Sequence, residues 1–271
     1  MLKIIRADIY RILRGKALYI TLAVLLATGA LLVGTWSSAQ AGGITVTPEA
    51  AAEASNIVAI MEEAGATGVS IPQALAISME NFTFFLLSII IIVAGAMFSH
   101  NTVKNDIAWG VSRTKLYFSK LLLTVFICIL MLLFYVGTCM LMATIWNGFG
   151  GPAPAGHWVG LLQIFAAQLV LLIALVAFGV FLAFTTKRTA AVNGLFIAFC
   201  LVPPLVISLL MLGNPNLSRL MDFDMLTNIM RLAHLPSMEN REILRALGLG
   251  MFYLVASTTA GVALFRRTEI K

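Results

Sequence analysis

The residue types used most often in catalysis are present in this chain, but their spacing matches no catalytic motif. The three histidines, His100, His157 and His234, lie in different segments, and none belongs to an H-E-x-x-H metal-binding motif. The adjacent acids Glu62 and Glu63 are followed by AGATG, which contains no basic partner. There is neither a G-x-S-x-G nucleophile motif nor a G-x-x-x-x-G-K-[S/T] phosphate-binding loop. We therefore predict that this chain is not an enzyme and does not hydrolyse ATP.

The three cysteines also argue against chemistry carried by the chain itself. Cys128, Cys139 and Cys200 all lie within apolar runs, with no C-x-x-C spacing and no histidine cluster beside them. Buried cysteines in such surroundings behave as small apolar side chains. We predict no disulfide scaffold, no metal site and no cofactor bound by this chain.

The composition indicates an all-α integral membrane protein. Of the 271 residues 60% are hydrophobic and 11% are charged, and the mean hydropathy is +0.97. A soluble domain carries about 25% charged residues, and a soluble fold of this size could not bury so much apolar surface. The net charge of +6 comes from short basic clusters at the ends of apolar runs, where they anchor membrane spans. This distribution argues against a nucleic-acid partner.

Six apolar runs approach the roughly 20 residues that are needed to cross the hydrocarbon core of a bilayer. The fourth and fifth are separated by a tight basic turn that contains Lys187 and Arg188. Pro203 and Pro204 lie in the middle of the fifth run, where we expect a kink or a break. We place the six spans at about 17–36, 82–100, 121–145, 159–184, 190–212 and 246–265.

The distribution of Lys and Arg predicts a multi-pass protein of the cell membrane with both termini in the cytoplasm. In that orientation the cytoplasmic side carries five basic residues in 1–16, four in 101–120, two in 185–189 and three in 266–271, out of 18 in total. The other four, Arg219, Arg231, Arg241 and Arg245, are external. Cytoplasmic segments of membrane proteins are enriched in Lys and Arg, which supports this orientation.

The segments outside the spans belong to the same single domain, residues 1–271. Residues 1–16 place apolar and basic side chains on opposite helical faces, which predicts a helix lying in the membrane surface. The external segment 37–81 has helix-start signals at Thr47 and at Ser70 with Pro72, so we expect two short helices there. The last external segment, 213–245, mixes apolar and charged residues and should lie on or dip into the outer leaflet.

The predicted spans contain almost no ionisable residues, which a transporter coupled to an ion gradient would be expected to keep at mid-membrane. Their polar side chains include Gln163, Gln168 and Asn193. Amides at such positions commonly form hydrogen bonds between helices in lipid. The other interpretation is that these three residues line a substrate path.

The stretch NTVKNDIAWGVSRTKLYFSK, residues 101–120, is a basic polar segment between the second and third predicted spans. Its first half reads as a short helix over 102–109, which Gly110 ends because glycine readily takes the left-handed conformation of a helix stop. Ser112 then begins a second helix that continues without a break into the apolar run. We expect this segment to be a cytoplasmic contact surface.

Together with the segment 101–120, the layout of the chain resembles the membrane permeases of type-2 ABC exporters. This group includes bacteriocin and lantibiotic immunity exporters. The resemblance in layout covers the whole chain: the amphipathic start, six spans, a long first external loop, a broken region after the fifth span and the ending FRRTEIK. Only one stretch is locally specific. It is the pattern G-x-S-R-x-K-x-Y-x-x-K, formed by Gly110, Ser112, Arg113, Lys115, Tyr117 and Lys120.

The resemblance implies that the segment 101–120 contains a coupling helix that seats in a cleft of a separate ATPase subunit. ATP and Mg²⁺ would then belong to that partner, and a second permease copy, identical or related, would complete the pathway in the lipid membrane. The cargo implied is an exported amphipathic peptide, an antibiotic or a lipid-like molecule. The residues that it assigns to ATPase coupling are Lys104, Asn105, Asp106, Ile107, Trp109, Gly110, Arg113 and Lys115.

The chain departs from neighbouring families, and two other functional classes stay open. It has no large external domain of the macrolide-exporter type, no fused nucleotide-binding domain and no EAA-type loop of importers. One alternative is an ion-coupled secondary transporter, which a dependence on a proton or sodium gradient would favour. The other is a scaffold or sensor subunit that binds a ligand through its external helices and moves no cargo.

Overall fold

The computed structural model describes residues 2–42, 66–99, 110–153, 155–213 and 215–267, which form helices and short connections with no β-strand among them. A π-helical turn, Ile91–Gly95, joins the helix Met79–Ile90 to the helix Ala96–Ser99, and two 3₁₀ helices, Pro215–Phe223 and Leu232–Ser237, flank the helix Met225–Arg231. The α-helices are α1 (Leu2–Arg14), α2 (Lys16–Gly42), α3 (Ile71–Ile77), α4 (Met79–Ile90), α5 (Ala96–Ser99), α6 (Arg113–Asn147), α7 (His157–Thr186), α8 (Thr189–Gly213), α9 (Met225–Arg231) and α10 (Asn240–Arg267).

Five of these helices, α2, α6, α7, α8 and α10, are long and apolar enough to cross a membrane. A sixth crossing is formed only if α3 and the helix Met79–Gly95 count as one span, and these two are bent by 73° at their junction. The all-helical, membrane-type fold predicted from composition is confirmed. Each of the five helices also covers its predicted apolar run and extends beyond it at one or both ends.

Helix α7 forms the centre of the bundle and packs against α4, α6, α8 and α10. Leu171, Leu172, Ala174 and Ala177 lie on different sides of α7 and are all fully buried. In its most apolar window 61% of α7 is buried by the rest of the chain, against 11% for α8. The outer helices therefore leave most of their apolar surface for lipid or for another protein chain.

Three connections between helices lie where local sequence signals predict them. Helix α1 is separate from α2, with Gly15 between them, and its Ile12 packs into the core. The turn between α7 and α8 contains Lys187 in a left-handed conformation, with φ of 55°. The predicted start at Ser70 is confirmed by α3, whereas the helix predicted after Thr47 lies outside the described residues.

The two prolines in the fifth apolar run do not break the helix. Helix α8 runs continuously through Pro203 and Pro204 to Gly213. Proline fixes φ near the helical value, so its main cost is the missing N–H donor toward the carbonyl four residues earlier. In an apolar environment with no water to compete for the backbone, the remaining helical hydrogen bonds keep the helix continuous.

The segment between α8 and α10 is folded against the bundle. Met225, Ile229 and Leu232 are buried in the same apolar core as α4 and α7. Asp224 caps α9, since its side chain accepts a hydrogen bond from the Thr227 N–H at 2.8 Å. The segment 213–245 therefore packs its apolar side chains against the bundle through α9, whereas its position on or in the outer leaflet stays a prediction.

Candidate functional site: a helix junction at the start of α6

The start of α6 is built as its local sequence predicts. Gly110 has a φ of +78°, a conformation that side-chain-bearing residues rarely adopt. Ser112 is the N-cap of α6, and its hydroxyl accepts a hydrogen bond from the Lys115 N–H at 3.4 Å. From there α6 continues to Asn147 without interruption. The polar segment 101–112 therefore leads directly into a 35-residue helix.

A buried ion pair joins this helix to α1. The Lys120 ammonium lies 2.5 Å from the Asp8 carboxylate, and the two side chains are only 1% and 9% exposed. The other Asp8 oxygen lies 3.3 Å from the Arg11 guanidinium, one turn further along α1. Because charges are stable in an apolar setting only when they are paired, this contact fixes α1 against α6.

A second set of polar contacts joins the start of α6 to the end of α10. Arg113 Nη1 donates to the carbonyls of Arg266, at 2.9 Å, and Phe265, at 3.3 Å. In return, Arg266 Nε donates to the Thr114 hydroxyl at 3.0 Å. The last carbonyls of a helix lack intrahelical donors and carry partial negative charge, so a guanidinium is a favourable partner there.

Four aromatic rings fill the space beneath these polar contacts. Phe184 near the end of α7 meets Phe98 at 5.3 Å, Tyr117 at 4.9 Å and Phe265 at 4.8 Å between ring centroids, all edge to face. Such arrangements are the favoured ones for aromatic pairs. Tyr117 also lies against Gly261 of α10, where the absent side chain leaves room for the phenol ring. Together, the polar contacts and the rings tie α1, α5, α6, α7 and α10 into one junction.

The structure describes three of the predicted coupling residues, and Lys104, Asn105, Asp106, Ile107 and Trp109 lie outside the described residues. Gly110 is the exposed turn before α6, and Lys115 is exposed on its first turn. Arg113, for which the resemblance implies a contact with a partner, is half-buried and reaches α10 within this chain. It therefore also has a role inside the protein.

Sequence reasoning missed the residues that Lys120 and Arg113 contact. Asp8 carried a usable signal, because it lies three residues after Ile5 and four before Ile12, on the apolar face of α1. A single acid on the buried face of a basic helix requires a cationic partner. The partners of Arg113 are backbone carbonyls of Phe265 and Arg266, which no side-chain pattern marks.

The three candidate path residues differ in burial and in their contacts. Gln168 is fully buried, and its amide nitrogen donates to the carbonyls of Ala76 at 2.7 Å and Ile229 at 2.9 Å. Gln163 is exposed on the surface of α7, and Asn193 is partly buried on α8. Gln168 thus holds α3 and α9 against the centre of the bundle.

Replacing Gln168 by leucine should destabilise the protein by about 2 kcal/mol, because two buried carbonyls would lose their donor. Gln163→Leu is the matched control: it makes the same change on the same helix at an exposed position and should have little effect. Thermal unfolding midpoints of both variants in detergent would compare them. Equal midpoints would contradict the assigned role of Gln168.

Among the described residues no group of three or more His, Cys, Asp or Glu side chains could hold a metal ion. One cavity in the described part of the chain is lined by α1, α2 and α6, and another by the segment that connects α8 to α10 and by the start of α10. None of Gln163, Gln168 and Asn193 lines either of them. No protein-family model matches the chain, and no curated protein matches it significantly.

Proposed function

We propose that this protein is the transmembrane subunit of an ATP-driven exporter whose ATPase is a separate chain. The polar segment 101–112 is the contact for that ATPase, with residues 102–109 as the coupling helix. Two copies of this chain, or this chain and a relative, form the pathway. ATP-driven closure of the ATPase subunits shifts the population of bundle conformations toward one side of the membrane.

The observation that carries this proposal is the junction at the start of α6. Movement of the segment 101–112 would reach α6 at Ser112, because Ser112 caps this helix and the helix continues from there to Asn147 without interruption. Lys120 passes the displacement to α1 through Asp8, and Arg113 passes it to α10 through the carbonyls of Phe265 and Arg266. A rigid connection of this kind is what coupling between a cytoplasmic motor and a helical bundle requires.

Exposed apolar surfaces on α8 and α10 support the proposal that a second permease subunit and an amphipathic cargo contact this chain. Helices α8 and α10 expose large apolar side chains along their length, including Leu201, Leu205, Leu209, Phe252 and Val255. Apolar surfaces of this kind suit lipid, a second permease subunit or an amphipathic cargo. We propose an amphipathic peptide, an antibiotic or a lipid-like molecule as the cargo class.

The proposal is tested by co-purification of tagged protein from its native membranes. Wild-type protein should bring down an ATP-hydrolysing subunit, and Lys104→Glu or Trp109→Ala should reduce the recovered ATPase about thirtyfold or more. The reason is that truncating a central aromatic anchor of an interface typically costs at least about 2 kcal/mol.

Arg188→Glu provides the matched control, because it reverses one exposed basic residue in the other predicted cytoplasmic turn. It should leave the recovery of ATPase unchanged. Equal losses with Lys104→Glu and Arg188→Glu would indicate general electrostatic attraction, contrary to a defined coupling helix. Absence of any ATPase from folded wild-type preparations would remove the proposed motor, and transport driven by an ion gradient would become the leading alternative.

A further inference from the structure

The segment between α8 and α10 encloses a polar cavity of about 430 Å³, a size typical of small-ligand sites. Its walls come from both 3₁₀ helices, α9 and the beginning of α10. The orientation predicted from the basic residues places this cavity on the external side of the membrane. Its charged and titratable lining residues are Arg219, Asp222, Arg231, His234, Glu242 and Arg245.

One carboxylate holds two of the arginines in place. Asp222 Oδ1 lies 2.6 Å from Arg231 Nη1, and Asp222 Oδ2 lies 2.7 Å from Arg245 Nη1. The Asp222 side chain is 18% exposed, whereas those of Arg231 and Arg245 are 39% and 48% exposed. Each guanidinium has five N–H donors in a fixed plane, so donors remain on the open side of both groups.

The third arginine of the cavity, Arg219, adds a positive charge without a carboxylate partner among the described residues. Arg219 is exposed on the first 3₁₀ helix and forms no ion pair with any residue that the structure describes. The cavity is lined by three arginines against two acids, Asp222 and Glu242. The lining therefore has an excess of cations with free donors.

Apolar side chains lie next to this cluster on the same 3₁₀ helix. Leu220 is 39% exposed and Phe223 is 66% exposed, and both are close in sequence to Arg219 and Asp222. A molecule with an anionic head and an apolar tail could place its head among the guanidinium groups and its tail against these side chains. Guanidinium groups recognise phosphate and carboxylate oxygens in two-point contacts.

From this arrangement we propose that the cavity binds the phosphate or carboxylate head of an amphipathic molecule at the outer membrane surface. Asp222 orders Arg231 and Arg245 for the contact, and Arg219 supplies the third cation. The binding needs neither ATP nor a partner chain. It would be present in a transporter, an ion-coupled carrier or a sensor alike.

The test uses phosphatidylglycerol in nanodiscs of phosphatidylcholine, with purified full-length protein and without ATPase. Wild-type protein should bind phosphatidylglycerol in preference to phosphatidylcholine, measured as lipid retained in native mass spectra across a titration. Arg219→Gln should weaken binding about tenfold, which corresponds to one charge-assisted contact. Because Arg219 is exposed, this variant should keep the fold, which its unfolding midpoint would verify.

Arg241→Gln is the matched control, since Arg241 is an exposed external arginine on α10 that does not line the cavity. It should leave binding unchanged. Similar losses in both variants would overturn the proposal, and so would a wild-type protein that neither prefers phosphatidylglycerol nor binds inorganic phosphate in detergent. Arg245→Lys keeps the charge but loses the planar fork, and it should also weaken binding.

A second arm titrates inorganic phosphate against the protein in detergent and separates the two sources of the anionic group. Phosphate binding that is reduced by Arg219→Gln and kept in Arg241→Gln would support the site with a soluble anion as its ligand. Phosphatidylglycerol binding without phosphate binding would support a lipid-like ligand. Because neither arm includes the ATPase, failure here leaves the proposed coupling function intact.

Discussion

Replacing Asp8 by leucine should destabilise the protein by about 3–5 kcal/mol, because it removes one partner of a buried ion pair. Lys120 is 1% exposed, so its ammonium would lose the carboxylate that lies 2.5 Å away without gaining water in exchange. For a protein of this size the loss corresponds to a fall of about 10 °C in the thermal unfolding midpoint. The measurement is thermal unfolding of purified protein in detergent micelles.

The double variant Asp8→Leu with Lys120→Met distinguishes a missing charge partner from lost packing. Replacing both members of a buried pair by apolar residues of similar volume is often neutral, so most of the stability should return. The double variant should then unfold near the wild-type temperature. A double variant as unstable as Asp8→Leu alone would show that α1 is held to α6 by packing and that the charges contribute little.

The same pair predicts a functional effect if the coupling proposal is correct. In the double variant α1 stays packed on α6 through apolar contacts, but the ion pair between Asp8 and Lys120, which would transmit movement of α6 to α1, is absent. The double variant should therefore still bind the ATPase, since its coupling segment is unchanged, but transport per ATP hydrolysed should fall. Unchanged transport would indicate that α1 takes no part in coupling.

Replacing Gly261 by alanine should destabilise the junction by about 3 kcal/mol, at the upper end of the range for overpacking. A methyl group at this position would meet three atoms of the Tyr117 phenol ring at less than 3.0 Å. The ring cannot easily move away because Phe184 packs against it at 4.9 Å between centroids. The gain in helix propensity from glycine to alanine is only about 1 kcal/mol and would not offset the clash.

Gly248→Ala is the control for this prediction, because Gly248 lies on the same helix and a methyl group there would meet nothing within 4 Å. It should be neutral or slightly stabilising through helix propensity alone. The difference between the two unfolding midpoints measures the close approach of α6 and α10. Equal midpoints for the two variants would mean that Tyr117 does not rest against Gly261.

Local patterns in the sequence were sufficient to predict the long helices of the fold. The apolar runs predicted all five of the long membrane-type helices, since burial of backbone polar groups in lipid permits only helices in such a composition. Ser112 and Gly110 predicted the start of α6 because capping and left-handed backbone depend on one or two neighbouring residues. The turn at Lys187 was predicted because a short basic segment separates two apolar runs.

The contacts that join the helices could not be read from the sequence. Asp8 and Lys120 are 112 residues apart, Arg113 and Arg266 are 153 apart, and Gln168 and Ala76 are 92 apart. No period or motif connects such positions, and two of the acceptors are backbone carbonyls that exist at every residue. The same holds for the cavity around Asp222, where Arg231 of α9 and Arg245 of α10 meet one carboxylate.

The sequence by itself therefore determined the all-helical, membrane-type fold and the approximate positions of its five long helices. Those properties follow from local hydropathy, capping and charge, which act over a few residues. The tertiary structure decided which helices are joined at the start of α6 and which cations line the cavity around Asp222. These depend on how the helices pack, because packing alone brings side chains from distant parts of the chain within hydrogen-bond distance.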